Sequence, residues 1–147
     1  MKKEDLMIGD WVNIQTEKDD EPMYSQVEQL WECEIDADFQ TDYKNVHPIP
    51  LSKEILEKNG FHLMHGFRYN ETYPTYGWGD NIDKKYISVD VTFYDDEPIN
   101  GVMHLVKIYR DSMGEDGVDS IHSCHIDYVH ELQHALKVCK IEKEIVL

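Results

Sequence analysis

From Lys85 to Asp95, apolar residues fall on every second position. Ile87, Val89, Val91 and Phe93 alternate with Ser88, Asp90, Thr92 and Tyr94. That period belongs to a half-buried β-strand, with the first set inward and the second outward. "FHLMHGFRY" repeats it, with Phe61, Leu63, His65, Phe67 and Tyr69 on one face. "GVMHLVKIYRD" follows a turn over Pro98 to Gly101, and after "MGEDGVD" the stretch "SIHSCHI" predicts a last and shortest strand. Consecutive strands joined by turns, with no helix between them, predict an antiparallel meander.

The first fifty residues predict shorter strands. "DWVNIQTE" carries Trp11, Val12 and Ile14, while "YSQVEQLWECEI" sets Val27, Leu30, Cys33 and Ile35 among polar residues, and "KDDEP" between them reads as a hairpin loop. A helix is the competing reading of "SQVEQLWECEI". A third, weaker strand falls on "DYKNVHPI". Such strands suit a small curved sheet or barrel.

Two helices interrupt the alternation. In "PIPLSKEILEKNGF", Ser52 is placed to cap, Leu51 to staple onto Leu56, and Asn59-Gly60 to stop a helix over about Lys53 to Lys58. Pro48 and Pro50 block an earlier start. Near the end, Tyr128, Val129, Leu132, Ala135, Leu136 and Cys139 form an apolar stripe, which predicts a helix from about Tyr128 to Cys139 with Asp127 as its cap. "KIEKEIVL" is a tail able to add an edge strand. The resulting fold class is α+β: a small N-terminal β unit over residues 1–50 and a meander unit with a C-terminal helix packed on it over 51–147, or one compact domain overall.

Composition narrows the function classes. The chain has 147 residues, is 41% hydrophobic and lacks a run of eighteen apolar residues, so no transmembrane span is expected. The start, "MKKEDLMIGDW", carries no apolar stretch of signal-peptide length, and a cytoplasmic location is the simplest expectation. Cys33, Cys124 and Cys139 are widely spaced and odd in number, which predicts reduced, partly buried thiols and no disulfide framework. A net charge of −16, with lysines scattered among acids, repels a phosphate backbone and argues against direct nucleic-acid binding. It suits a basic protein partner, or mimicry of DNA as an acidic decoy.

"DYVHELQHALKVC" holds the candidate chemistry: His130-Glu131-x-x-His134, the spacing that zinc peptidases place on a helix. There the imidazoles ligate zinc and the glutamate is general base to metal-bound water. The facing argues against it here. On the predicted helix both histidines lie opposite the apolar stripe, where a helix packed on a sheet meets solvent. A downstream third ligand is also missing, because the Gly-x-x-His pattern meets Lys137 and Lys140 instead. The motif is therefore read as coincidental, with adventitious metal binding by this histidine-rich segment left open. No cofactor, catalytic residue or dedicated metal site is expected.

"YNETYPTYGWGDN" offers a different kind of candidate. Tyr69, Tyr73, Tyr76 and Trp78 sit among Pro74, Gly77 and Gly79 in what reads as a loop of about fifteen residues. Rigid aromatics on such a loop either bind a partner or fold back over the core. The acidic run Asp95, Asp96 and Glu97 marks another turn. No phosphate-binding glycine loop and no complete nucleophile triad signature is present.

Three blocks, "DLMIGDWV", "VHPIPLSKEILEKNGF" and "IDYVHELQHAL", resemble a family of short uncharacterised phage, prophage and mobile-element proteins of Bacteroides-type bacteria. Members carry an opening "IGN-x-V", a central "PIPLTEEIL-x-x-NGF" and a closing "YVHELQNLYFALTGEEL", in the same order. The match covers about forty residues in this chain. The family pattern has Asn where this chain has His134, and this chain departs after Leu136. The resemblance implies packing roles for Tyr128, Leu132 and Leu136, and no activity. The resulting expectation is a non-enzymatic accessory protein acting through protein contacts, with a zinc-dependent hydrolase and an acidic DNA mimic as alternatives.

Overall fold

The computed structural model describes residues 1–15, 21–32, 34–65, 73–82, 85–94, 104–111 and 118–147. They form two five-stranded antiparallel sheets and two α-helices, an α+β architecture. The first sheet comprises β1 (Trp11–Ile14), β2 (Met23–Leu30), β3 (Glu34–Ala37), β4 (Phe39–Asp42) and β5 (Val46–His47), in the order β4-β3-β2-β1-β5. It curls into a half-barrel around Leu6, Val12, Ile14, Val27, Ile35, Ala37 and Val46. "YSQVEQLWECEI" is therefore neither one strand nor a helix. It folds back between Leu30 and Glu34, where Trp31 N donates to Glu34 O at 2.9 Å. Cys33 lies outside the described residues.

Helix α1 (Lys53–Lys58) follows its sequence signals closely. Ser52 Oγ accepts from Ile55 N at 3.3 Å, Leu51 and Leu56 join one core cluster, and Gly60 ends the helix at φ +77°. That left-handed conformation is open to glycine and strained for residues with a Cβ.

The second sheet is the expected meander: β6 (His62–Leu63), β7 (Thr75–Ile82), β8 (Lys85–Phe93), β9 (His104–Asp111) and β10 (Val118–Ile126), in the order β10-β9-β8-β7-β6. Its inner face presents Tyr76, Ile87, Val89, Val91, Phe93, Val106, Ile108 and Ile126. Four readings change. The alternation from Phe61 breaks at Leu63, which lies in the two-residue edge strand β6 and is 42% exposed, while Phe67 and Tyr69 lie outside the described residues. Tyr94, expected outward, is buried. The stretch from Thr75 onward, expected as loop, is strand β7, because its glycines fit a cross-strand ladder with β8. And β10, expected shortest, has nine residues. The turns over 95–101 and 112–117 lie outside the described residues.

Helix α2 (Val129–Val138) buries Val129, Leu132, Ala135 and Leu136 against the meander. Its capping residue is Tyr128 rather than Asp127. The tail after Lys140 adds no strand: Ile141 and Ile145 are buried beside the meander, and Asn59 holds Val146 through two hydrogen bonds of 2.8 Å. No helix among the described residues is long and apolar enough to cross a membrane.

Candidate functional site

Helix α2 carries a second stripe, at the spacing i, i+3, i+4, i+7: His130, Gln133, His134 and Lys137. The stripe is polar, which is why its sequence reads as a solvated face. The structure overturns that expectation for the histidines, because the stripe docks on the N-terminal segment instead. Gln133 Oε1 accepts from Trp11 N and its Nε2 donates to Gly9 O, both at 3.0 Å, while Lys137 Nζ donates to Ile8 O at 2.8 Å. His134 Nε2 lies 2.7 Å from Asp10 Oδ2. Asp10 is fully buried, and the same oxygen accepts from Met7 N at 2.6 Å.

His130 is 4% exposed. Its ring stacks on Tyr128 at 5.8 Å and meets His134 edge-on at 5.6 Å, and its Nδ1 has no hydrogen-bond partner. Burial pushes its pKa below the usual histidine range, against the opposing pull of Glu131 and Asp10. Glu131 turns back on the helix start, where Oε2 accepts from Asp127 N at 2.7 Å and Tyr128 N at 3.1 Å. A glutamate at the third helical position satisfies amides that the first turn otherwise leaves unbonded.

These three residues line a cleft of about 470 Å³ together with Glu4, Asp5 and Met7. The chemistry of a zinc peptidase needs both imidazoles convergent on one ion and the carboxylate free to take a proton from water. Here Glu131 holds the helix start and His134 holds Asp10. Among the described residues, no group of three or more His, Cys, Asp or Glu is placed to hold a metal ion. Asp10 was not anticipated from the sequence. The only signal was "IGDW", a Gly-Asp turn before a strand, where Gly9 takes φ +89°.

The aromatic candidates lie on the meander. Tyr69 is outside the described residues. Tyr73 packs edge-on against Tyr94, with centroids 5.0 Å apart, and Tyr76 is buried edge-on against Phe93 at 5.7 Å. Desolvation, then Glu57, pushes the Tyr76 hydroxyl pKa up. Trp78 is half-buried: it tilts onto Phe61 at 6.4 Å, and Lys143 Nζ sits 4.9 Å above its ring. Trp78 borders two clefts, one of about 690 Å³ against the tail residues Lys140 to Glu144, the other of about 460 Å³ shared with His62, Tyr86, Ser88 and Asp90. The structure thus brings Tyr76 and Trp78 to one strand as core-facing neighbours.

Among the remaining reactive side chains, Cys124 and Cys139 are free thiols, both half-buried, and burial pushes both pKa values up. Asp90 is partly desolvated, which raises its pKa against the pull of Lys107. In comparisons with protein-family models, curated proteins and solved structures, nothing matches this chain.

Proposed function

We propose that the chain is a non-enzymatic accessory protein, of phage or mobile-element origin, that acts in the cytoplasm through contacts with a protein partner. The engagement of Glu131 carries this reading: its carboxylate accepts two backbone amides at the start of α2, so the one group of the motif suited to be a general base serves the helix instead. The origin rests on the three-block resemblance alone. A net charge of −16 favours a basic partner over nucleic acid. Trp78, half-buried between two clefts, is the aromatic candidate best placed to meet that partner.

Two measurements test the reading. Protein purified without a histidine tag and analysed for metal should carry far less than one zinc per chain. One tight zinc would instead restore the hydrolase reading on His130, Glu131 and His134. Affinity capture from the native host should recover one specific partner, weakened by Trp78→Ala. Capture that recovers none would sink the contact reading, and undiminished capture by Trp78→Ala would remove Trp78 from it.

A further inference from the structure

We propose that the open edge of β10 accepts an extended, lysine- or arginine-bearing segment of a protein partner as an added antiparallel strand. This rests on the contact reading above and gives it a mode. Of the four sheet edges among the described residues β10 is the longest, with nine residues.

The direction of its backbone groups follows from the ladder. In an antiparallel sheet each residue points both its N–H and its C=O to the same neighbour, and successive residues alternate sides. Phe93 N donates to Pro74 O at 3.0 Å, so odd-numbered residues of β8 bond towards β7 and even-numbered ones towards β9. Leu105, Lys107 and Tyr109 of β9 then bond to β8, which leaves His104, Val106 and Ile108 to bond to β10. Their partners Ile126, Cys124 and His122 are thereby satisfied. Ser123 and His125 turn their backbone groups the other way, to the open side, and both residues are exposed.

The chain itself makes an isolated bridge just past the end of β10 on that side. Asp127 O accepts from Leu51 N and Val129 N donates to Ile49 O, both at 2.9 Å, with Pro50 opposite Tyr128 in an antiparallel bridge. Odd-numbered 127 and 129 continue the outward series of 123 and 125, so residues 49–51 lie along this same edge. After Leu51 the chain turns into α1, and among the described residues no strand continues the pairing.

Exposed edges are usually guarded by lysine, proline or an inward charge. Ser120 to Ile126 contains none of these, and its one irregularity, a register shift between Ser120 and His122, spares the stretch from His122 to Ile126. Strand addition draws its affinity from main-chain hydrogen bonds and its selectivity from alternate side chains. The overall charge selects the occupant: a chain at −16 attracts a basic segment and repels a second copy of itself.

Amide hydrogen exchange on the full ¹⁵N-labelled chain tests this, with a synthetic peptide alternating lysine and valine as probe and its glutamate-for-lysine counterpart as control. In the free protein, Ser123 and His125 should exchange faster than His122 and Cys124. The lysine peptide should slow both outward amides at least tenfold, and the glutamate peptide should not. Ser123→Pro removes an outward N–H without breaking the β9 ladder, and it should abolish protection of His125. Ser123→Lys, which keeps the amide but adds a charge, should weaken the lysine peptide at least fivefold. Slow exchange at both positions in the free protein would overturn the proposal, as would equal protection by both peptides or by neither. Protection that grows with protein concentration alone would assign the edge to a second copy instead. Because the probe is synthetic, these outcomes are separate from whether the host supplies a partner.

Discussion

Asp10 is a carboxylate with no access to solvent whose neighbours supply two donors to one oxygen, Met7 N and His134 Nε2, and none to the other. Removing one partner of a buried pair leaves the survivor desolvated and short of bonds, which costs more than the pair contributes net. His134→Ala should therefore lower the unfolding free energy by about 2 kcal/mol in urea titrations. His134→Ala combined with Asp10→Asn should recover part of that loss, since a neutral amide is cheaper to bury. Strictly additive losses would show that the two side chains are not coupled. His130 gives a pH prediction of definite sign. Its folded pKa lies below the unfolded value near 6.5, so the unfolded chain takes up the proton first. Its contribution is fully present above about 6.5 and is lost as pH falls from there towards the depressed folded value. Denaturation midpoints of the native chain should drop across that window, and His130→Phe should flatten the drop. An unchanged slope in the variant would place the acid sensitivity elsewhere.

At the scale of elements, the two helices differ in how far the sequence announces them. α1 is bounded by local signals, Ser52 at its start and Gly60 at its end, and each acts within four residues of its target. Both are therefore readable without the fold. Gly60→Ala should cost about 1 kcal/mol, a backbone effect alone, because no atom lies within 4 Å of the added Cβ. Thermal denaturation checks it, and a neutral result would mean the turn relaxes out of its left-handed conformation. α2 announces one face and hides the other. Val129, Leu132 and Leu136 are apolar and read as buried, as they are. His130, Gln133, His134 and Lys137 are polar and read as solvated, yet His130 is buried, and the partners of the other three, Ile8, Gly9, Asp10 and Trp11, lie more than 120 residues earlier. No period within the helix records such a contact. The strand β7 was hidden for a related reason. Gly77 and Gly79 spell a loop, but the volume their missing side chains leave is filled by Met64 and by Tyr86 across the strand pair. The buried alternation of β8 stood out because its core face is apolar at every step. At Glu131 the role in stability and any role in chemistry separate cleanly. Glu131→Ala should cost about 1 kcal/mol through the two amides it abandons, measurable by urea denaturation. No loss of stability would remove the helix-start role that argues against the zinc reading.

Across the whole molecule, α2 is the element that contacts both sheets. Its apolar stripe belongs to the meander core and its polar stripe to the segment that leads into β1. Further ties run beside it: Trp11 Nε1 donates to Ile145 O at 2.6 Å, and residues 49–51 pair with 127–129. The ties are mostly hydrogen bonds, each contributing about 1 kcal/mol net. Among the described residues, the half-barrel encloses seven buried apolar residues of its own, a small core that leans on this junction. The three tryptophans fall at the junction, on the half-barrel and on the meander: Trp11, Trp31 and Trp78. Fluorotryptophan incorporation gives each a separate resonance without altering a contact. In the native chain all three should report one denaturation midpoint, as expected of a cooperative unit. Gln133→Ala removes two ties at once, from Trp11 N and to Gly9 O, while sparing both cores. It should move the Trp31 midpoint below that of Trp78, with Trp11 following Trp31. If the three resonances stay coincident in that variant, the junction is held by the buried Asp10–His134 pair and the tail, and the polar stripe of α2 contributes less to coupling than its geometry implies.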